Sequence, residues 1–71
     1  MLRLTKILYD RRISQAKIAR LADINQSDLN SMIHGKRPAY PAWRTRISQA
    51  LRMPEHEVFP EYAENLETGG Q

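Results

Sequence analysis

Apolar residues recur at helical spacing along most of the chain, and no segment keeps the apolar–polar alternation of a half-buried strand for long. Near the start, Leu4, Ile7 and Leu8 stand at positions i, i+3 and i+4, so they share one side of a helix. This spacing predicts a first helix from about residue 2 to residue 11 and favours an all-α fold.

Two short helices are predicted next, separated by a break at residues 23–25. Ser14 precedes the segment QAKIARLA and is predicted to cap the second helix, because its hydroxyl can accept a hydrogen bond from a backbone N–H of the first turn. Asn25 is the corresponding cap of a third helix over residues 26–34. That helix is predicted to end there because Gly35 can adopt the left-handed conformation that closes a helix.

Prolines mark the remaining helix boundaries. Pro38 and Pro41 exclude regular helix from the loop KRPAYP, and a fourth helix is predicted over PAWRTRISQAL. Pro54 suits the first position of a short fifth helix, PEHEVF, because a backbone N–H at that position would have no partner. The predicted architecture is five short helices around one core. The predicted core residues are Leu4, Leu8, Ile13, Ile18, Ala19, Ile24, Leu29, Ile33, Trp43, Ile47, Leu51, Val58 and Phe59.

The length and composition indicate one small domain held together by apolar packing. A chain of 71 residues lies near the size at which a single core is only marginally stable, and the absence of Cys excludes disulfides and thiolate metal sites. No apolar run approaches the roughly 18–20 residues of a membrane span. The first residues also lack the apolar segment of a signal peptide. We therefore expect a cytoplasmic protein without a membrane segment.

Charge is distributed unevenly along the sequence. Residues 1–53 hold all eleven Lys and Arg against three Asp, a net charge of +8. Residues 54–71 hold five Glu and no Lys or Arg, a net charge of −5. A body this basic is typical of nucleic-acid binding, because neutralising phosphates releases counterions. A solvated basic surface with an acidic tail for solubility is the alternative.

The third helix carries two different faces. When each residue is advanced by about 100°, Leu29, Met32 and Ile33 form an apolar stripe. The adjoining polar face carries only short hydrogen-bonding side chains without Lys, Arg, Asp or Glu: Gln26, Ser27, Asn30, Ser31 and His34. Gln and Asn match the paired donor and acceptor of adenine in the major groove, and Ser can contact several bases. A polar helix face without a partner is the alternative.

The second and third helices together, SQAKIARLADINQSDLNSMIHG, have the spacing of a helix-turn-helix, whose second helix enters the major groove. Ala19 is small at the helix crossing, Ile24 is apolar in the turn, and Leu29 and Met32 lie between the helices. The segment resembles the phage repressor and Cro-type helix-turn-helix family, also called the XRE family, whose pattern reads roughly SQxxLAxxxGVSQSxISxxxxG. The segment ISQALRMPEHEVF resembles the later family pattern IAxALGVSxxELF.

This resemblance implies a compact, five-helix, lambda-repressor-like DNA-binding domain over residues 1–60. It also implies base contacts from the third helix and phosphate contacts around it. The residues at the base-reading positions are Gln26, Ser27, Asn30 and Ser31. The residues at phosphate-contacting or positioning sites are Gln15, His34, Lys36 and Arg37, with Lys17, Arg44 and Arg46 as further candidates for flanking phosphates. Gln15 is also expected to brace Gln26.

Two residues depart from the family pattern at turns. Where the family usually has glycine, this chain has Asp23 after the second helix and Arg52 after the fourth. Both positions favour positive φ in the family, a conformation that Asp tolerates moderately well and Arg less readily. We therefore expect slight strain, or an adjusted last helical turn, at these two positions.

No residue pattern favours catalysis or metal binding. Ser14 is better explained as a helix cap than as a nucleophile, because nothing near it suggests a base with an orienting partner. His34 and His56 without Cys do not make a metal site. Trp43 is expected to pack in the core and Tyr40 to have a loop role. We expect no enzyme activity, no cofactor and no small-molecule ligand.

The C-terminal residues 61–71 are predicted to form an acidic, flexible tail. One small domain covers a single DNA half-site, and the family usually binds as a twofold dimer across half-sites about 34 Å apart. A candidate homodimer contact is the apolar series that runs into the tail, namely Val58, Phe59, Tyr62 and Leu66. Simple capping of the core by these residues is the alternative.

The function favoured by these features is a sequence-specific DNA-binding transcriptional regulator, a repressor that reads a pseudo-palindromic operator in double-stranded DNA. An antitoxin or restriction-modification controller on the same fold is the nearest alternative, and a co-purifying toxin would favour it. A protein-interaction module that has lost the DNA contacts is an alternative of another class. Undetectable or salt-insensitive DNA binding would favour that module.

Overall fold

The computed structural model describes residues 2–62, and the regular secondary structure of that part is entirely helical. The helices are Arg3–Asp10 (α1), Gln15–Leu21 (α2), Gln26–Ile33 (α3), Pro41–Leu51 (α4) and Glu55–Val58 (α5), followed by a short 3₁₀ helix, Pro60–Tyr62. The predicted all-α fold with five helices is confirmed. Each predicted helix lies within one or two residues of its expected bounds.

Side-chain caps begin α2 and α3 as predicted. Ser14 Oγ accepts a hydrogen bond from the Lys17 N–H at 3.0 Å, and Asn25 Oδ1 accepts one from the Ser27 N–H at 2.8 Å. Each cap satisfies a backbone donor that the helix leaves open and contributes about 1 kcal/mol. The prediction for Pro54 was wrong by one position, because its extended backbone (ψ 144°) makes it the N-cap of α5.

The first helix is capped from the far end of the described chain. Leu2 occupies its N-cap and provides no side-chain hydrogen bond. Instead, the Glu61 carboxylate accepts from the Arg3 N–H at 2.7 Å, where a negative charge also complements the helix dipole. Tyr62, which follows Glu61, also contacts the domain, because its hydroxyl accepts a hydrogen bond from the Ala39 N–H at 2.9 Å. The folded domain therefore extends beyond residue 60, where the sequence placed its boundary.

Four helices end in the same hydrogen-bonded turn. After each of α1 to α4 comes a left-handed residue, and the next residue donates its N–H to a carbonyl five residues earlier. The left-handed residues are Arg12, Asp23, Gly35 and Arg52, with φ of 57°, 56°, 77° and 57°. For a residue with a Cβ this conformation costs about 1–2 kcal/mol. The positive φ expected at Asp23 and Arg52 is confirmed, and Arg12 adds a position that the sequence did not reveal.

One apolar core receives residues from all five helices. Most of the predicted core residues are buried: Leu4, Leu8, Ile18, Ala19, Ile24, Leu29, Ile47, Leu51, Val58 and Phe59. Three others, Ile13, Ile33 and Trp43, are only partly buried and pack against its edge. Tyr40 is 44% exposed and stacks edge-on against Trp43, with ring centroids 4.8 Å apart. The inner sides of α2 and α3 thus pack on the core, and their outer sides are exposed to solvent.

Close packing around α2 provides a test of this core. Ala19 is 3% exposed, and α2 packs against both α3 and α4, so a larger side chain has no free space there. Ala19→Leu should lower the free energy of unfolding by about 1–3 kcal/mol. The matched control is Ala16→Leu on the exposed side of the same helix, which should change it by less than about 0.5 kcal/mol. Urea unfolding measures both, and equal stability of the two variants would contradict close packing at Ala19.

Candidate nucleic-acid interface

The apolar stripe of α3 is docked on the core, and much of its polar face remains in solvent. Leu29 and Met32 are 1% and 2% exposed, and α2 packs along this helix. The exposed members of the polar face are Gln26, Ser27, Asn30 and His34, while Ser31 is half-buried. Amide and hydroxyl groups in the first two turns of α3 are therefore free to contact another molecule.

Gln15 joins the two helices at the border of the polar face. Its Oε1 accepts a hydrogen bond from Asn30 Nδ2 at 3.3 Å. The resemblance implied a brace to Gln26, whereas the structure places it on Asn30, one turn further along α3. Asn30 keeps its Oδ1 and one N–H for another partner. Because this hydrogen bond restrains the side chain, Asn30 would lose less conformational freedom on contact with another molecule.

The basic loop after α3 is folded back against the helix. His34 ends α3, and the backbone N–H groups of Lys36 and Arg37 both donate to the Ser31 carbonyl, at 2.8 and 3.3 Å. His34, Lys36 and Arg37 are exposed and belong to the lining of an open groove of about 550 Å³, which Glu61 also lines. Two permanent positive charges and an imidazole are thus held beside the polar face.

Two further residues that were predicted to contact phosphates are exposed on the surface. Lys17 is exposed in the first turn of α2, next to Ser14, which caps that helix. Arg46 is exposed on α4, and its Nη1 donates to the Asp23 carbonyl at 3.2 Å. That bond ties Arg46 to the turn between α2 and α3, so its charge is positioned by the same turn that orients α3.

Arg44 does not belong to this surface, and its predicted phosphate contact is corrected. The residue is only 8% exposed. Its Nε donates to Glu55 Oε2 at 3.0 Å and its Nη1 donates to the Ala39 carbonyl. The guanidinium carbon also lies 4.7 Å from the centre of the Tyr62 ring. Arg44 therefore ties α4 to α5, to the preceding loop and to the C-terminal turn.

The sequence contained a signal for this burial. Arg44 lies three residues before Ile47 and seven before Leu51, a spacing that puts all three on the inner side of α4. The residue type suggested a phosphate contact, whereas the periodicity indicates the core. The cap that Glu61 provides for α1 had no comparable signal, because it joins residues 58 positions apart.

The apolar series proposed for a dimer contact belongs mostly to the core. Val58 and Phe59 are 0% exposed, so they are not available to a second copy of the chain. The Tyr62 ring packs edge-on against Phe59 with centroids 6.2 Å apart. Val58, Phe59 and Tyr62 therefore cap or fill the core, which was the alternative to a dimer contact. Leu66 lies outside the described residues.

Comparisons of the chain with protein-family models, with curated proteins and with solved structures found no match. Any functional assignment must therefore come from the residues and their arrangement. Within residues 2–62, no three His, Asp or Glu residues are grouped so that they could hold a metal ion. None of the helices in the same range has the length and apolar character that a membrane crossing requires.

The structural position of Arg44 can be tested directly. Arg44→Ala removes the partner of the Ala39 carbonyl and leaves the Glu55 carboxylate with only the 3.5 Å hydrogen bond from Thr45 Oγ1, so we expect the free energy of unfolding to fall by about 3 kcal/mol. This is the lower end of the usual range because a quarter of the Glu55 side chain is exposed. Arg46→Ala removes an exposed arginine from the same helix and should cost less than about 1 kcal/mol. Urea unfolding measures the free energy of unfolding of both variants. An equal decrease in the two would contradict the core position of Arg44.

Proposed function

We propose that this protein is a sequence-specific DNA-binding regulator of transcription that acts as a repressor by occupying a promoter. The observation that carries the proposal is the exposed polar face of α3. A face that meets only water gains little from Ser and Asn, which are weak helix formers. The same face suits a duplex groove, because its amides and hydroxyls can pair with base edges.

The dimensions of α3 and its side chains suit the major groove. An α-helix is about 10–12 Å across with its side chains, and the major groove is about 12 Å wide. Short side chains at Gln26, Ser27 and Asn30 would let the helix lie deep in that groove. Gln26 and Asn30 are the candidates for paired contacts with adenine, and Ser27 and Ser31 for single hydrogen bonds.

The cations around the polar face provide the second part of the proposed interface. Lys36 and Arg37 follow the C-terminal end of α3, and Lys17 is on the first turn of α2. Cations on two sides of a groove-bound helix would contact the two phosphate backbones and fix the register of the helix. We assign Gln15, His34 and Arg46 to the same positioning group, and we leave Arg44 out.

One copy of the domain would cover one DNA half-site. The described part measures 36 × 23 × 21 Å, so two copies can lie side by side at the roughly 34 Å spacing of two half-sites on one face of a duplex. We therefore propose that two copies bind as a homodimer to a twofold-symmetric operator. Their contact lies on a surface other than Val58 and Phe59, because both are in the core.

Base reading and phosphate binding should respond differently to mutation. Gln26→Ala should weaken binding to the preferred sequence by about 1–3 kcal/mol and change binding to unrelated DNA little. Lys36→Ala should weaken binding to all sequences alike and make the slope of log K against log salt less negative by about one unit. Binding titrations at several salt concentrations, with preferred and unrelated duplexes, measure both effects.

The matched control is Gln49→Ala, which removes an exposed amide of the same kind from α4. It should leave affinity, sequence preference and salt slope unchanged. The proposal is wrong if Gln26→Ala and Lys36→Ala change binding in the same way on every duplex. Salt-insensitive or undetectable DNA binding by the unaltered protein would instead favour a protein-interaction module.

A further inference from the structure

Two arginines stand where the backbone favours glycine. Arg12 and Arg52 both have φ of 57°, and each occupies the left-handed position that closes a helix. Glycine adopts this conformation without strain, as Gly35 does after α3. Both arginines are exposed, so core packing does not account for their presence. The chain thus keeps strained arginines at two turns where glycine would relieve the strain.

These two arginines lie at one corner of the molecule. Arg11, which precedes Arg12, donates from its Nη1 to the Leu51 carbonyl at 3.1 Å, and Arg52 follows Leu51 directly. This bond brings the end of α1 and the end of α4 together. We call Arg11, Arg12 and Arg52 the arginine corner.

The positive charge of the arginine corner is not neutralised within the described chain. The ion pairs of residues 2–62 are Lys6 with Asp10 and Arg44 with Glu55, so no carboxylate pairs with the corner there. The three residues carry three positive charges, and two of them, Arg12 and Arg52, also have strained backbone. Strain that the surrounding structure maintains is concentrated at functional sites.

The arginine corner adjoins the proposed DNA interface. Arg12 lies three residues before Gln15, whose side chain is hydrogen-bonded to Asn30 of the polar face. Three residues span at most about 10 Å, so the backbone of Arg12 is close to that border. Arg11 keeps most of its N–H donors, since only Nη1 is bonded to Leu51.

We propose that the arginine corner binds backbone phosphates of the same duplex, beyond the base pairs that α3 contacts. This inference rests on the proposed DNA-binding function and extends its footprint. Guanidinium groups suit the task, because their planar donors can pair with two phosphate oxygens at once. The two strained arginines therefore lower the stability of the free protein and raise its affinity for DNA.

The double variant Arg12→Gly/Arg52→Gly separates these two effects. Relief of backbone strain should raise the Tm by several degrees, since small domains respond strongly to modest gains in stability. At the same time, the slope of log K against log salt should become less negative by about 0.9 for each lost contact. Affinity near 0.1 M salt should fall about tenfold for each contact. Thermal unfolding and DNA titrations on the full chain measure these quantities.

Asp23→Gly is the matched control for strain. Asp23 has the same left-handed backbone, with φ of 56°, but carries no positive charge. This variant should raise the Tm in the same way and leave the salt slope unchanged. Arg12→Asn/Arg52→Asn is a second test variant, because Asn also tolerates positive φ and avoids the extra freedom of glycine in the unfolded chain. It should show the same weakening of the salt slope.

Duplex length provides an independent readout. Removing base pairs that flank the preferred sequence should weaken binding by the unaltered protein more than binding by Arg12→Gly/Arg52→Gly, which keeps only Arg11 of the corner. If that variant gains stability but keeps the original affinity and salt slope, the arginine corner does not bind phosphate, while the proposed function stands. If the unaltered protein binds no DNA, the proposed function and this inference are both wrong.

Discussion

The docking of α3 on the core decides which of its side chains can meet another molecule. Burying an apolar side chain such as Leu29 or Met32 contributes about 1.5–3 kcal/mol, and both are almost completely buried. Rotating α3 by one residue would expose them and carry Gln26 and Asn30 toward the core, where amides without partners are costly. Apolar packing thus fixes the direction of the polar face, although it makes none of the contacts proposed for that face.

The turns that close the helices show how stability and surface chemistry compete. The same hydrogen-bonded turn follows four helices, and only one of its left-handed positions is occupied by glycine. Arg12 and Arg52 keep charge on the surface at the expense of backbone strain. In a domain this small, where total stability is modest, about 1–2 kcal/mol at each turn is a large fraction. The proposed binding of DNA phosphates would account for both arginines.

Short-range signals in the sequence predicted most of the fold. Apolar periodicity and the positions of the prolines located the five helices, and the caps at Ser14 and Asn25 follow from local hydrogen bonding. The errors involve contacts between distant residues. Nothing near Glu61 indicates that it caps α1, and nothing near Tyr62 indicates that its hydroxyl accepts from the Ala39 N–H. For the candidate interface, periodicity predicted the polar face, but the brace from Gln15 to Asn30 and the arginine corner required the tertiary structure.

The central claim is that the polar face of α3 reads DNA sequence, and selection of bound duplexes from a random pool tests it most directly. The account predicts that the unaltered chain enriches a short motif, repeated with twofold symmetry at a spacing of about 10–10.5 base pairs. A pool that the protein retains at low salt but that stays random in sequence would contradict it. The cations would then act alone, and the uncharged side chains of α3 would have no part in recognition.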